Sequence, residues 1–197
     1  MIIKNIPKHF HTITSHKIMV MRHCFQCGLI RQGILHDLSK YSPSEFWIGV
    51  KYYQGNCSPN NAERKEKGYS SAWLHHKGRN KHHIEYWIDY SLKDGELLTG
   101  CEMPLNYVYE MFCDRVAASK IYNGKNYKTT DPLDYYYRSR DHYLMHPDTQ
   151  KILESLLEML VEKGEKQTFH YIRQCYKQYR KEKRAPKTFG KFHLSKQ

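Results

Sequence analysis

The stretch Gly33-Ile34-Leu35-His36-Asp37-Leu38-Ser39-Lys40-Tyr41-Ser42-Pro43-Ser44-Glu45-Phe46-Trp47 decides how the rest of the chain is read. His36 and Asp37 stand between an Ile-Leu pair and Leu38, so both are expected to point inward. Burying a carboxylate is costly unless it is paired or bound to a cation. Lys40 is one candidate partner, and a metal ion is another. Downstream, Ser42 can cap a helix, Pro43 fits its first position and Glu45 can close a capping box. That helix is expected to run through Phe46, Trp47 and Val50 to about Tyr53.

Upstream, residues 10–30 place Ile13, His16, Val20, His23, Cys24 and Cys27 close to one face at helical spacing. Downstream, residues 54–70 are polar and read as a short surface helix or a loop over a site. A segment from Ser70 or Ser71 through His75 and His76 is interrupted by Gly78 and Asn80, and resumes at His82-His83-Ile84. Asp94-Gly95 is a turn. Helices follow from Pro104 to Asn123-Gly124, from Asp131-Pro132, and from His146-Pro147 to Gly164, with a last one through Phe169, Ile172 and Tyr176. No run of alternating β-branched residues occurs. The expected fold is an all-α bundle, one domain over residues 1–180, with a basic, flexible tail over 181–197.

The histidines are arranged more tellingly than they are numerous. With 13 histidines and 8 aspartates in 197 residues, chance alone gives roughly half a His-Asp dipeptide, so context must carry the motif. His16 and His23 lie upstream on the first helix. His75, His76, His82 and His83 form a cluster downstream. Asp114 lies farther on, within Met111-Phe-Cys-Asp114-Arg115-Val-Ala-Ala118, a charge inside an apolar helix. Asp114 therefore needs a partner too, either Arg115 or Lys120 in an ion pair, or a metal. Several inward imidazoles with two aspartates suit a divalent transition metal, because neutral imidazole is a common ligand and a carboxylate can bridge two ions.

The order His16, His36-Asp37, His75/His76, His82/His83, Asp114 resembles the HD-domain superfamily of metal-dependent phosphohydrolases. His36-Asp37-Leu-Ser-Lys40 is similar to the HD-x-x-K form of its cyclic-dinucleotide phosphodiesterase branch. The stretches HDLSKYSPSEFW, HHKGRNKHHIEYW and EMFCDRVAASKIY are also similar to a family of small uncharacterised bacterial proteins. The resemblance implies an HD-domain-like helical bundle with a mono- or dinuclear centre. In it His16, or His23 seven residues on, is the first ligand. His36 binds one ion and Asp37 bridges two. One histidine from His75/His76 and one from His82/His83, with His76 and His83 preferred, complete the second ion, and Asp114 closes the first. Lys40 and Arg115 face a phosphate. The implied activity is hydrolysis of a nucleotide or other small phosphoester, with Asp37, Lys40 and Arg115 as catalytic residues. Mn, Fe, Co, Ni or Zn is favoured over Mg, which prefers oxygen donors. The phosphodiesterase branch carries Gly-Tyr-Pro after its second histidine cluster. Lys81-His82-His83-Ile84-Glu85-Tyr86-Trp87 stands there instead, so cyclic dinucleotide does not follow. A di-iron oxygenase of the same superfamily is the first alternative. A non-enzymatic nucleotide- or nucleic-acid-binding protein is the second.

The net charge is +12, but it is concentrated at the ends. Residues 1–36 hold five basic residues and no acid, residues 176–197 hold eight and one acid, and the body between is neutral. Basic ends suit an anionic substrate or a weak nucleic-acid contact through the tail. Six cysteines without an export signal read as reduced thiols. Cys24-Phe-Gln-Cys27 lacks the second ligand pair of a structural zinc site and reads as core. No stretch of about 18 apolar residues exists to cross a membrane. The start is broken by Lys4, Lys8, His9 and His11, so a cytoplasmic location is expected.

Overall fold

A computed structural model of the protein describes residues 2–55 and 57–184. Helix α1 (Asn5–Gln26) buries His9, Ile13, His16, Val20, His23 and Cys24 along one stripe. The stripe repeats every three or four residues, as a helix facing a core requires. Gly28, at φ 79°, releases the chain from this helix into α2 (Ile30–Leu35), which packs back on α1. That packing needs Gly33, since a Cβ there would lie 3.0 Å from Cys24 Cβ and 3.2 Å from the Met21 backbone.

Helices α3 (Pro43–Lys51), α4 (Pro59–Lys67) and α5 (Ser71–Lys77) form a layer beside α1. Helix α6 (Leu105–Asn123) runs through the centre and is buried on every side over Val108–Cys113, as its position between α1 and the C-terminal helix demands. Helix α7 (Asp131–Ser139) and α8 (Pro147–Arg184) complete the bundle. The core joins Val20, Cys24, Phe112, Val116, Leu157, Leu160, Phe169 and Ile172. Burying each large apolar side chain there contributes about 1.5–3 kcal/mol. Cys24, Cys27 and Cys113 are buried free thiols, and Cys27 and Cys113 approach to 3.7 Å between sulfurs.

The all-α architecture is present, with several local differences from expectation. Residues 54–70 contain α4. The segment after His83 does not resume an α-helix. It makes a 3₁₀ turn (Ile84–Trp87) and then a small antiparallel hairpin, β1 (Ile88–Tyr90) against β2 (Leu98–Gly100), with the Asp94-Gly95 turn between them. Strands this short leave no alternation to detect. The two C-terminal helices are continuous except at Gly164, whose φ of 73° and ψ of 171° break the helical path. Helical structure extends to Arg184, past residue 180, and residues 185–197 of the expected tail lie outside the described residues. No helix of the described residues is long and apolar enough to cross a membrane.

Candidate metal centre

Helix α2 ends at Leu35, His36 caps it, and the next residue turns the chain sharply. Asp37 has φ 54° and ψ 24°, the only positive φ outside glycine among the described residues. Aspartate tolerates this left-handed conformation better than most residues, and such strain clusters at functional sites. Lys17 of α1 holds the turn in place, donating to the carbonyls of Ile34 (2.7 Å) and His36 (2.8 Å). A lysine there also satisfies carbonyls at the end of α2.

Asp37 is the midpoint of two donor sets. One comprises His16, His36, Asp37 and Asp114, and the other Asp37, His76, His82 and His83. The two carboxylate oxygens divide between them. Oδ2 lies 3.6 Å from His16 Nε2 and 3.3 Å from His36 Nε2. Oδ1 lies 3.3 Å from His76 Nε2 and 3.4 Å from His82 Nε2. Asp114 Oδ1 completes the first set, 2.9 Å from His16 Nε2 and 3.6 Å from His36 Nε2. In the second set, His83 Nε2 lies 2.9 Å from His76 Nε2. Two ligand atoms at about 2.1 Å from one ion sit about 3.0 Å apart at a right angle and about 3.4 Å apart at a tetrahedral angle. The observed spacings fall around those edges.

The hydrogen bonding makes the same point independently. His16 Nε2, His36 Nε2, His82 Nε2 and Asp37 Oδ1 are buried and have no hydrogen-bond partner. Buried polar atoms are nearly always satisfied, and here four unsatisfied ones converge. At His36 and His82 the opposite ring nitrogens face a carboxylate. His36 Nδ1 and His82 Nδ1 lie 2.9 and 3.2 Å from the same Glu110 oxygen. His76 Nδ1 lies 2.8 Å from Glu45, whose other oxygen is 2.6 Å from His75 Nδ1. An N–H donated to a carboxylate at Nδ1 leaves the Nε2 lone pair free for a metal. Glu110 with His36 and His82 also forms a close group, but its oxygen is already taken by His36 Nδ1, whereas the Nε2 atoms of His16, His36 and His82 have no partner. These buried His/Asp groups can hold a metal ion.

Four carboxylates, Asp37, Asp114, Glu110 and Glu45, therefore crowd one small volume. Burial pushes the Asp37 carboxyl upward, but His36, Lys40 and His76 outweigh it and hold it well below the usual range. Burial likewise opposes, and His16 and His36 overcome it, at Asp114. His36 is driven down by burial, yet Asp37, Asp114 and Glu110 raise it well above an ordinary imidazole. His83, by burial and the neighbouring His82 and His76, is held well below it. The field calls for positive charge at the centre, supplied by protons or by cations.

His16, His36, Asp37, His76, His83 and Asp114 come together as the sequence suggested. His82 joins them, so both members of the His82/His83 pair face the second set. His23 does not. It is buried against Phe169, with ring centroids 4.9 Å apart, its Nδ1 lies 3.3 Å from the Cys113 carbonyl, and burial lowers its pKa to about 4. His75 also stays outside, held by Glu45 on the rim. Lys40 Nζ lies 2.6 Å from Asp37 Oδ2 with its side chain 30% exposed. Burial opposes its charge, but Asp37 and Asp114 raise its pKa above the lysine norm. Arg115 does not pair with Asp114, and Lys120 pairs instead with Glu165 at 2.5 Å. Glu110 escaped the sequence reading although it lies one helical turn before Asp114, a second acid on the same apolar helix, and that spacing was the available signal. Glu45 was read as a cap. Ser42 makes no capping bond, and the Glu45 carboxylate turns to two imidazoles, which offer stronger charge-assisted partners than a backbone N–H.

The centre opens into a cavity of about 1190 Å³, whose wall includes His9, Tyr53, Trp73, Tyr122, Arg115 and Tyr143 as well as Lys40. An all-α fold with a carboxylate shared by two histidine-rich donor sets defines a class of candidate metalloprotein. Residues 5–159 match the model of a family of unknown function, DUF5662, and the chain belongs to that family. The matched region spans every donor described above. No curated protein and no solved structure matches the chain.

Proposed function

We propose that this protein is a metal-dependent phosphoester hydrolase of the HD-domain type, acting on a nucleotide or another small phosphoester. The observation that supports it best is Asp37, whose two oxygens face separate His/carboxylate sets behind His16, His76, His83 and Asp114, which line an open cavity. Histidine-rich donors favour Mn, Fe, Co, Ni or Zn over Mg. When bound, such ions supply an activated water near neutral pH and charge stabilisation for an in-line displacement. The chain's own residues do the rest. Asp37 and Asp114 hold negative charge at the donor sets. Glu110 and Glu45 fix the imidazoles in the metal-binding tautomer. Lys40, ion-paired to Asp37 and reaching the cavity, is placed to offset charge on a phosphoryl group. The cavity, whose wall includes Tyr53, Trp73 and Tyr122, is large enough for a nucleoside-sized leaving group.

The test is metal analysis of purified protein together with a phosphoester panel. Mn, Fe, Co, Ni or Zn in wild type, lost in Asp37→Ala and Asp114→Ala, with turnover lost in parallel, is the expected result. Wild-type metal content in both variants would remove the basis of the reading. Two irons per chain with an oxo-bridge absorption and no phosphoester turnover would instead favour the oxygenase chemistry.

A further inference from the structure

Arg115 follows Asp114 directly, yet the two side chains go to different places. Consecutive residues on a helix diverge by about 100°. Asp114 reaches the metal donors. The Arg115 guanidinium lies 5.6 Å from the ring centre of Tyr136 and 5.4 Å from that of Tyr143. Two aromatic faces hold the plane of the guanidinium, as arginine favours, but they do not neutralise it. Among the described residues it forms no ion pair, and its Nε is buried without a hydrogen-bond partner. Glu154, the acceptor for the Tyr136 hydroxyl at 2.9 Å, is already engaged by Arg140 at 3.4 Å and Gln150 at 3.1 Å. Arg115 and Tyr143 line the same cavity as His16 and Asp114.

A half-buried guanidinium that is oriented by aromatics and lacks a counter-ion is set up to receive an anion, with planar, multi-donor hydrogen bonding. It sits against Tyr136 and Tyr143, whereas Lys40 is ion-paired to Asp37, so the two cations occupy different stations along the cavity wall. We propose that Arg115 anchors a second anionic group of the substrate, so that the preferred substrate is a phosphoester carrying a further phosphate or carboxylate. The reacting end of this substrate rests on the hydrolase reading; the anchor itself does not.

Calorimetric titration of the protein as purified, with methylphosphonate and with α,ω-alkanediphosphonates of increasing length, tests this without turnover. In wild type at least one diphosphonate is expected to bind tenfold or more tightly than methylphosphonate. Arg115→Met should erase that preference, bringing the diphosphonates down to the affinity of methylphosphonate, while Arg115→Lys should retain part of it. ω-Phosphonoalkanoates of matching length distinguish a carboxylate from a phosphate as the anchored group. Thermal unfolding checks the fold of each variant, and Arg115→Lys carries the comparison where Arg115→Met does not fold. The proposal is overturned when no length binds more tightly than methylphosphonate, or when the preference survives in Arg115→Met. A lasting diphosphonate preference without phosphoester hydrolysis keeps the anchor and rejects the hydrolase. Hydrolysis without the preference does the reverse.

Discussion

Replacing Glu110 with Gln separates a shared support from a local one. One Glu110 oxygen takes a hydrogen bond from His36 of the first donor set at 2.9 Å and lies 3.2 Å from His82 Nδ1 of the second. Glu45 supports only His76 among the donors, at 2.8 Å. A hydrogen bond to a charged group contributes about 1.5–3 kcal/mol, and a neutral one about 0.5–1.5 kcal/mol. Glu110→Gln keeps the shape and removes the charge, so each of the two imidazoles loses about 1–1.5 kcal/mol of orientation. That corresponds to roughly tenfold in metal affinity for each set, the lower end of what such outer partners usually contribute. Glu45→Gln should weaken the second set alone. Dialysis against graded chelator followed by metal quantification reads both effects. Glu110→Gln is expected to release both ions at lower chelator concentration than wild type, and Glu45→Gln only one. If Glu110→Gln retains both ions as wild type does, or if Glu45→Gln releases both, the shared-support reasoning is wrong.

Asp37→Asn should preserve the fold while losing metal from both sets, because asparagine also tolerates the left-handed turn but cannot carry the bridging charge; circular dichroism and metal content measured together check this. Gly49→Ala should lower thermal stability by about 1–3 kcal/mol through overpacking, since a Cβ there would lie 2.1 Å from His9 Nε2; calorimetry reads the shift. Glu63, fully buried, accepts hydrogen bonds from Ser70 and Ser71 at 2.7 Å each and anchors the start of α5. Burial opposes its charge, but those hydroxyls and Lys67 lower its pKa to about 2. A depressed carboxylate contributes stability that is complete above its unfolded value and is lost as pH falls toward about 2. Glu63→Gln should flatten that acid limb of the stability profile; an unchanged slope in chemical unfolding between pH 5 and 2 (about the span between the two pKa values) would count against the assignment.

Much of the bundle was legible because its helices declare themselves by spacing and punctuation. The apolar stripe of α1, the Pro104 and Pro147 starts and the Gly164 break all lie in local sequence. The hairpin was not legible, since three-residue strands carry too little pattern and are fixed by packing. Among the site residues, His36, Asp37 and Asp114 could be found from charge placed in apolar surroundings. The choice between His82 and His83 could not. After Gly78 the chain leaves the α-helical path, and the two-turn argument linking residues seven apart ceases to apply. Without that helix both imidazoles reach Asp37's side. His23 shows the converse error, since helical spacing put it near His16, but the neighbour it meets is Phe169. Glu45 was visible as an acid and misread in role, because its partners come from α5, thirty residues away in sequence.

The Lys17 clamp has a consequence for the order in which the centre is assembled. His16, His36 and Asp37 all belong to the α1–α2 hairpin, and Lys17 ties its two arms together through the carbonyls of Ile34 and His36. Contacts this close in sequence cost little loop entropy to make. Asp114 and Glu110 arrive much later along the chain, both on α6. Docking of that one helix onto α1 delivers the last ligand of the first donor set and the shared support of both. The N-terminal hairpin can thus form early as an open three-donor half-site, while the first donor set is complete only once α6 has docked.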